Sequence, residues 1–190
     1  MTMRKILVCN QKGGVGKSLI ADELAFSFER SGISVAFLDL DSQGGTIHKM
    51  DRNEDAEVAV VDTPGALQPQ LKAWLSDADL IIIPTRTTSR DIEPLCRMKE
   101  AVEAAGKSNQ TVYVLNSWNR FRASSDFLVW IRGTCGSGVK IFKLPQSEMF
   151  VQAGASGVSV VEYARHSAAA KAVRKLCGGV RGMAGFRPEE

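Results

Sequence analysis

Short runs of apolar residues alternate along the chain with longer stretches in which apolar residues recur every three or four positions. The short runs are almost continuously hydrophobic, as in Ile-Leu-Val at 6–8 and Ile-Ile-Ile at 81–83, which is typical of strands covered by helices on both faces. This pattern predicts strands at 5–9, 34–39, 57–62, 80–84, 111–116 and 139–142. Strands that alternate with helices predict an α/β fold with a doubly wound, mostly parallel sheet.

Helices are predicted between these strands. Ile20, Leu24 and Phe28 are spaced four apart and form one apolar stripe on a helix that ends near Ser31 and Gly32. Further helices are predicted at 68–76, 90–105, 124–132 and 158–176. The polar segment 48–56 predicts a loop or a single turn. The glycine-rich residues 179–190 predict a flexible tail, which leaves one folded domain over 1–178.

Composition favours a soluble, reduced globular protein. The chain has 190 residues, of which 44% are hydrophobic and 24% charged, so it can bury a core without disulfides or a structural metal. Its apolar runs are far shorter than the ~20 residues that span a bilayer. The four cysteines are scattered and are interpreted as small core residues. A cytoplasmic location is therefore expected.

A phosphate-binding loop follows the first strand, in residues 10–18, Asn-Gln-Lys-Gly-Gly-Val-Gly-Lys-Ser. Glycines allow backbone N–H groups to converge on phosphate oxygens, while a lysine and a hydroxyl serve the β/γ oxygens and Mg²⁺. Lys17 and Ser18 fill those two roles. Gln11 replaces the first glycine of the common pattern, and the extra Lys12 opens the glycine run. A second lysine beside Lys17 is electrostatically reasonable only if a polyanion neutralises both.

In this deviant Lys-Gly-Gly-x-Gly-Lys-Ser form, the sequence resembles the ParA/MinD family of P-loop ATPases. The resemblance implies ATP or ADP and Mg²⁺ as cofactors and a homodimer that forms on ATP binding. It also implies that Lys12 reaches the partner subunit's phosphates. The implied phosphate-binding residues are Lys12, Gly13, Gly14, Val15, Gly16, Lys17, Ser18 and Leu19.

Acidic residues end the next two predicted strands, where parallel strands face a ligand crevice. The resemblance continues through Asp-Leu-Asp-Ser-Gln-Gly at 39–44 and implies that Asp41 positions the attacking water and that Asp39 supports the metal. Asp62 ends an apolar strand and is predicted as a second metal ligand beside Ser18. The following Thr-Pro-Gly-Ala at 63–66 resembles a switch loop that senses the γ-phosphate.

The resemblance also implies where the adenine base binds, namely at the ends of the fifth and sixth predicted strands. Asn116 and Pro145 match the family's adenine-contacting positions. A structural hydrogen bond of a buried asparagine is the competing interpretation of Asn116. Only 20 residues separate Asp41 from Asp62, where family members usually carry a helix or more. Because the first strand begins near residue 4, no N-terminal DNA-binding extension is expected.

The net charge of +3 is small, but basic residues are concentrated in the second half of the chain. Together with the resemblance, this predicts a partition ATPase that binds DNA non-specifically when ATP-bound and associates with the nucleoid. A cargo-bound adaptor protein would stimulate its slow hydrolysis. The residues predicted to contact DNA are Arg120, Arg122, Arg165, Lys171, Arg174 and Lys175. A solvated helix face is the competing interpretation for each of them.

Other functions stay open at this stage. A MinD-like membrane-associated spatial regulator needs an amphipathic helix, and the alanine-rich residues 169–179 are too weakly apolar for stable membrane insertion. A conjugative DNA-transfer accessory ATPase would carry the same motifs. A P-loop kinase or ligase would need a second substrate pocket. A nitrogenase-reductase-like protein would need cluster-binding cysteines in a different sequence context.

Overall fold

The sheet has six parallel strands in the order β2-β3-β1-β4-β5-β6. The computed structural model describes residues 2–41, 44–65, 69–136 and 138–186. The strands are β1 Arg4–Val8, β2 Val35–Asp39, β3 Val58–Asp62, β4 Leu80–Thr85, β5 Thr111–Trp118 and β6 Lys140–Pro145. The helices are α1 Lys17–Arg30, α2 Leu71–Asp77, α3 Ile92–Ala104, α4 Arg122–Cys135, α5 Glu148–Ala155, α6 Val160–Tyr163 and α7 Ala168–Met183. This architecture confirms the predicted α/β fold.

Two apolar cores lie on opposite faces of the sheet. Alternate residues of one strand point to opposite faces, so Ile6 and Val8 pack with α1 and α7, whereas Leu7 and Cys9 pack with α2 and α3. Burial on both sides explains why residues 6–8 of β1 and 80–83 of β4 are continuously hydrophobic. Phe28 and Leu24 of α1 are fully buried, as the predicted apolar stripe requires.

The predicted segments differ from the observed ones mainly near the C-terminus. The predicted helix 158–176 is wrong as a single element, because α6 ends at Tyr163 and α7 begins anew at Ala168. Helix α5 was not predicted. Residues 179–183, assigned to a flexible tail, form the last turn of α7, and Val180 and Arg181 are buried. Of the predicted tail, 187–190 lie outside the described residues, as does Gln68 at the start of the predicted helix 68–76.

Strand pairing brings the functional segments to one edge. Asp39 and Asp62 are register partners at the carboxyl ends of β2 and β3, and Val8 of β1 pairs with Asp62. The phosphate-loop segment follows β1 directly and leads into α1. The segments that follow β1, β2 and β3 therefore meet at the carboxyl edge of the sheet, where ligands bind in open α/β folds.

Candidate functional site

The phosphate loop owes its shape to glycine at two positions. Gly14 and Gly16 have φ angles of 69° and 96°, in the left-handed region that favours glycine. At Gly16, which precedes α1, a Cβ atom would also lie 2.2 Å from Asn116 Nδ2. The loop therefore turns directly into the N-terminus of α1, a location where N–H groups and the helix dipole attract anions.

Lys17 is buried at the start of α1. Its Nζ lies 3.4 Å from the carbonyl oxygen of Lys12, so the ammonium group is held beneath the loop. Burial lowers the pKa of Lys17, while Asp62 and Asp41 act in the opposite direction. These carboxylates lie within electrostatic reach of the ammonium group, so the site combines a buried cation with a cluster of acids. Leu19 is half-buried on the next turn.

Ser18 and Asp62, the two residues predicted to hold Mg²⁺ together, are in direct contact. Ser18 Oγ donates a hydrogen bond of 2.6 Å to Asp62 Oδ2, while the buried Oδ1 of Asp62 has no hydrogen-bond partner among the described residues. Burial, together with the neighbouring charges of Asp39 and Asp41, raises the pKa of Asp62 to about 6. A divalent cation would satisfy the unpaired oxygen and favour the ionised carboxylate, so these residues fit Mg²⁺.

Asp39 lies beside Asp62 but holds the loop that carries Asp41. Its Oδ1 accepts a hydrogen bond from the backbone N–H of Asp41 at 2.9 Å, and its Oδ2 accepts one from Thr46 Oγ1 at 2.8 Å. Both carboxylate oxygens are thus engaged in positioning the loop. The metal-supporting role of Asp39 stays a prediction, as does the water-positioning role of Asp41.

The loop after β3 lies directly against the phosphate loop. Thr63 donates two hydrogen bonds to the carbonyl of Val8, from its backbone N–H and from its hydroxyl. At Gly65 a Cβ atom would lie 2.8 Å from Gly13 Cα and 3.1 Å from Lys17 Nζ. Only glycine allows this approach, so the loop after β3 is packed directly against the phosphate loop at Gly65. Ala66 lies outside the described residues.

Lys12 contacts its own chain. Its Nζ lies 2.5 Å from Asp91 Oδ1 and 3.2 Å from the carbonyl of Arg90. Its backbone N–H donates to Asn10 Oδ1, while Asn10 Nδ2 donates to the carbonyl of Pro84 at the end of β4. The predicted contact of Lys12 with a partner subunit stays a prediction.

Asn116 supports the phosphate loop. Its Nδ2 donates a hydrogen bond of 2.9 Å to the carbonyl of Val15, and its Oδ1 accepts one from the N–H of Ser117. This geometry matches the competing, structural interpretation of the residue. Pro145 ends β6 opposite Trp118 of β5, at the carboxyl edge of the sheet. The adenine contacts of both residues stay predictions.

The basic residues predicted to contact DNA are mostly exposed and lie in three groups: Arg120 with Arg122, Arg165 with Arg174, and Lys171 with Lys175. Arg122 pairs with Asp126 at 3.5 Å, and Arg174 donates a hydrogen bond to the carbonyl of Arg165.

A further basic cluster joins α4, β6 and α7. Burial lowers the pKa of Lys143, and the positive charges of Arg132 and Lys175 lower it further, so each of these two cations acts electrostatically on Lys143. Lys143 Nζ also lies 3.9 Å from the ring centroid of Trp118. Among the described residues, none of the three cations takes part in an ion pair. The cluster is therefore a surface where negative charge is favoured.

Sequence reasoning missed several residues that organise the site. Asp91 is 1% exposed and binds Lys12, although the two are far apart in sequence. Asp22 of α1 accepts hydrogen bonds from the backbone N–H groups of Ile47 and His48, and so anchors the segment after Asp41. The Thr-x-x-Asp spacing of Thr88 and Asp91 signals a helix start, but no local pattern identifies Lys12 as the partner.

The model of the CobQ/CobB/MinD/ParA nucleotide-binding domain (CbiA) matches residues 6–160 of the chain. Among curated proteins, the cytosolic Fe-S cluster assembly factor CFD1 of Chaetomium globosum is 44% identical over 64 residues, which cover 34% of this chain. The chain spans only 20% of the length of that relative.

Solved structures of similar fold bind adenine nucleotides. The complex of Cyanothece McdA with ATP has a TM-score of 0.81 at 15% identity and covers 100% of this chain and 99% of that chain. The Pyrococcus horikoshii septum site-determining protein MinD with Mg-ADP has a TM-score of 0.75 at 16% identity, over 96% and 98%. A putative plasmid partition protein of Borrelia burgdorferi bound to AMPPNP has a TM-score of 0.68 at 14% identity, over 92% and 98%.

At these identities the structural similarity establishes the fold. Within the described residues, no helix combines the length and the hydropathy needed to cross a bilayer.

Proposed function

Because the chain belongs to the CobQ/CobB/MinD/ParA nucleotide-binding domain family, we propose that it is a P-loop ATPase that uses ATP or ADP and Mg²⁺ and works as a nucleotide-switched dimer in DNA partition. In its ATP-bound form the dimer binds DNA without sequence preference and associates with the nucleoid. A cargo-bound adaptor protein stimulates hydrolysis and release.

The observation that carries the ATPase part is the grouping of the buried Lys17 and Asp62 with the half-buried Ser18. Phosphoryl transfer depends on positioning and on charge neutralisation more than on covalent catalysis. Lys17 and the N–H groups of the phosphate loop hold the phosphates, and Ser18 with Asp62 holds the metal ion. When bound, Mg²⁺ neutralises charge on the phosphate oxygens. In this proposal Asp41 orients the attacking water.

The switch part of the proposal follows from the packing of the loops. Gly65 lies against both the phosphate loop and Lys17, and Asp39 ties Asp41 to Thr46. A change at the γ-phosphate position would therefore move residues 63–65 together with Asp41 and Thr46. These loops lie on the face that would meet a second subunit if Lys12 reaches across.

The DNA part of the proposal is supported by the cluster of Arg132, Lys143 and Lys175. Arg132 and Lys175 each repel Lys143, and binding of phosphate groups at this surface would relieve that repulsion. Trp118 beneath Lys143 offers an aromatic surface as well. The plasmid partition protein of Borrelia burgdorferi, which has a similar fold, supports the choice of DNA partition.

The first experiment measures binding to a random-sequence DNA duplex at two salt concentrations without nucleotide and with ADP, ATP or ATPγS. We expect binding only with ATP or ATPγS, and loss of binding in Lys12→Ala. In the Lys143→Gln/Lys175→Gln variant, the plot of log K for DNA binding against log salt concentration should become less steep. The magnitude of its slope should decrease by about 0.9 for each lost phosphate contact. Lys72→Gln, an exposed lysine on α2, is the matched control and should keep the wild-type slope.

Two results would contradict the proposal. Intact ATP hydrolysis without DNA binding would exclude DNA partition. It would favour a membrane or protein partner, as in the MinD-like alternative. Equal DNA binding with and without nucleotide would exclude the switch. A conjugative DNA-transfer role would give the same binding result and differs only in the adaptor that stimulates hydrolysis.

A further inference from the structure

The ion pair between Lys12 and Asp91 joins two loops at the carboxyl edge of the sheet. Lys12 belongs to the phosphate loop after β1, and Asp91 ends the 3₁₀ helix Ser89–Asp91 after β4. The side chain of Lys12 is 29% exposed and that of Asp91 is 1% exposed. The carboxylate is therefore the buried member of the pair, and Lys12 covers it.

Both oxygens of Asp91 are occupied within the chain. Oδ1 lies 2.5 Å from Lys12 Nζ, and Oδ2 accepts a hydrogen bond from the hydroxyl of Thr88. Only Lys12 contributes a positive charge among these contacts. An ionised carboxylate buried without a cation is strongly unfavourable, so removal of the lysine side chain from this position has a large free-energy cost.

The backbone of Lys12 is held independently of its side chain. Asn10 accepts a hydrogen bond from the N–H of Lys12 at 2.9 Å, and Lys17 Nζ lies 3.4 Å from its carbonyl oxygen. Asn10 is itself bonded to the carbonyl of Pro84 at 2.7 Å. The lysine side chain can therefore leave Asp91 by rotation about its own bonds, without rearrangement of the phosphate loop.

We propose that Asp91 is a positioning residue that retains Lys12 within its own subunit, and that the loss of this ion pair limits ATP-dependent dimerisation. The inference rests on the proposed function, in which Lys12 binds the partner subunit's nucleotide phosphates. One lysine cannot neutralise Asp91 and a phosphate across the interface at the same time. The buried pair therefore opposes dimerisation until nucleotide phosphates compete for the lysine.

The test compares wild type with Asp91→Asn, which preserves the shape of the side chain and removes its charge. Sedimentation velocity would follow the dimer fraction against ATPγS concentration. We expect Asp91→Asn to reach half-maximal dimer at about tenfold lower ATPγS, the effect of losing one charged hydrogen bond. Glu93→Gln is the matched control, since Glu93 is 83% exposed, pairs with Arg97 and lies two residues further along. It should dimerise like wild type.

A second measurement needs no nucleotide. The rate at which an amine-reactive acylating reagent modifies Lys12, followed by mass spectrometry, should be slow in wild type relative to the exposed Lys72. It should rise in Asp91→Asn and stay unchanged in Glu93→Gln. A variant that is only destabilised would not gain dimer, so a gain identifies release of Lys12 rather than damage to the fold.

The proposal is overturned if wild type dimerises with ATPγS and Asp91→Asn dimerises no better, or if Lys12 of wild type reacts as fast as Lys72. Failure of the proposed function has a different signature. In that case wild type would form no dimer at any ATPγS concentration, and Lys12→Ala would behave identically. The acylation rates would then decide whether Asp91 retains Lys12 in the single subunit.

Discussion

At the residue scale, the site keeps Asp62 in an unfavourable environment. Its pKa is raised by burial, and by Asp39 and Asp41, from an ordinary value of 3.8 to about 6. That difference corresponds to about 3 kcal/mol of destabilisation when the carboxylate is ionised at pH 7. The unpaired Oδ1 adds to this cost. Without a metal ion, the ionised Asp62 therefore lowers the free energy of unfolding of the chain.

Asp62→Asn should therefore stabilise the chain measured without metal or nucleotide. The amide can still accept the hydrogen bond from Ser18, and it carries no charge to bury. We expect the free energy of unfolding in urea at pH 7 to rise by about 1–3 kcal/mol. Stabilisation by Mg²⁺ and ADP should be lost. Asp126→Asn, an exposed aspartate on α4, serves as control and should change stability by less than about 0.5 kcal/mol.

The pH dependence of this difference has a definite sign. The folded-state pKa of Asp62 lies above the unfolded value, so the penalty is fully present above about pH 6 and disappears as the pH falls towards 3.8. The advantage of Asp62→Asn over wild type should shrink over that window. An advantage that is constant with pH, or a destabilised variant, would contradict this account.

At the element scale, side-chain caps explain where the sequence interpretation of the C-terminal helices was wrong. Ser159 accepts a hydrogen bond from the N–H of Val161, and Ser167 accepts one from the N–H of Ala170. Each serine therefore begins a new helix, which divides the predicted 158–176 into α6 and α7. Glu23 of α1 also accepts hydrogen bonds from Ser159 and the N–H of Val160. That tertiary contact holds the break in place.

The end of α7 is part of the folded domain because α1 and β6 pack against it. Val180 is fully buried, and Arg181 donates to the carbonyl of Ser27. Truncation of an apolar side chain in a packed core destabilises the folded protein, because the removed atoms no longer contribute their transfer free energy and a cavity is left behind. A folded domain that ended at residue 178, as predicted, would lack these interactions.

Val180→Ala should accordingly lower the free energy of unfolding by about 1–3 kcal/mol. Val129→Ala is the matched control, since Val129 on α4 is 73% exposed, and should change it by less than about 0.5 kcal/mol. Urea unfolding followed by circular dichroism measures both. Equal values for the two variants would mean that the last turn of α7 contributes no packing energy.

At the scale of the whole molecule, the short connection from Asp41 to Asp62 is stabilised without a helix of its own in residues 44–62. His48 lies between Phe26 and Phe37, at ring-centroid distances of 4.2 Å and 5.0 Å. Its Nδ1 lies 2.8 Å from Asp22 and its Nε2 lies 3.3 Å from Glu29. The segment is thereby attached to α1, the helix that starts at the phosphate loop.

This attachment makes stability depend on pH. Burial alone would lower the pKa of His48, but the hydrogen bonds to Asp22 and Glu29 outweigh it and hold the pKa above the usual value of 6.5. The stabilisation is therefore fully present below the unfolded-state pKa and is lost as the pH rises through the raised folded-state pKa. In His48→Gln, the decrease in stability that His48 causes between about pH 6 and 8 should therefore be absent.

Unfolding free energies in urea at pH 6 and pH 8 check this prediction. The matched control is His166→Gln, because His166 is exposed and is the other histidine of the chain. It should retain the wild-type difference between the two pH values. A wild-type difference that survives in His48→Gln would show that the pH dependence arises from other groups.

Local sequence determined the secondary-structure core and the phosphate chemistry of this protein. Continuous apolar runs specify strands covered on both faces, and glycines with a following lysine and serine specify a phosphate loop, because backbone conformation and side-chain chemistry act within a few residues. The six strands, α1 and the acids that end β2 and β3 were predictable for this reason.

Only the tertiary structure decided which partners these residues have. The strand order places β4 beside β1 and so brings Asp91 to Lys12, and it brings Asn116 of β5 to the phosphate loop. The attachment of His48 to Asp22 and of α7 to α1 likewise depends on packing between segments far apart in the chain. Such contacts form only when the whole domain is folded, because their free energy depends on burial that no single segment achieves alone.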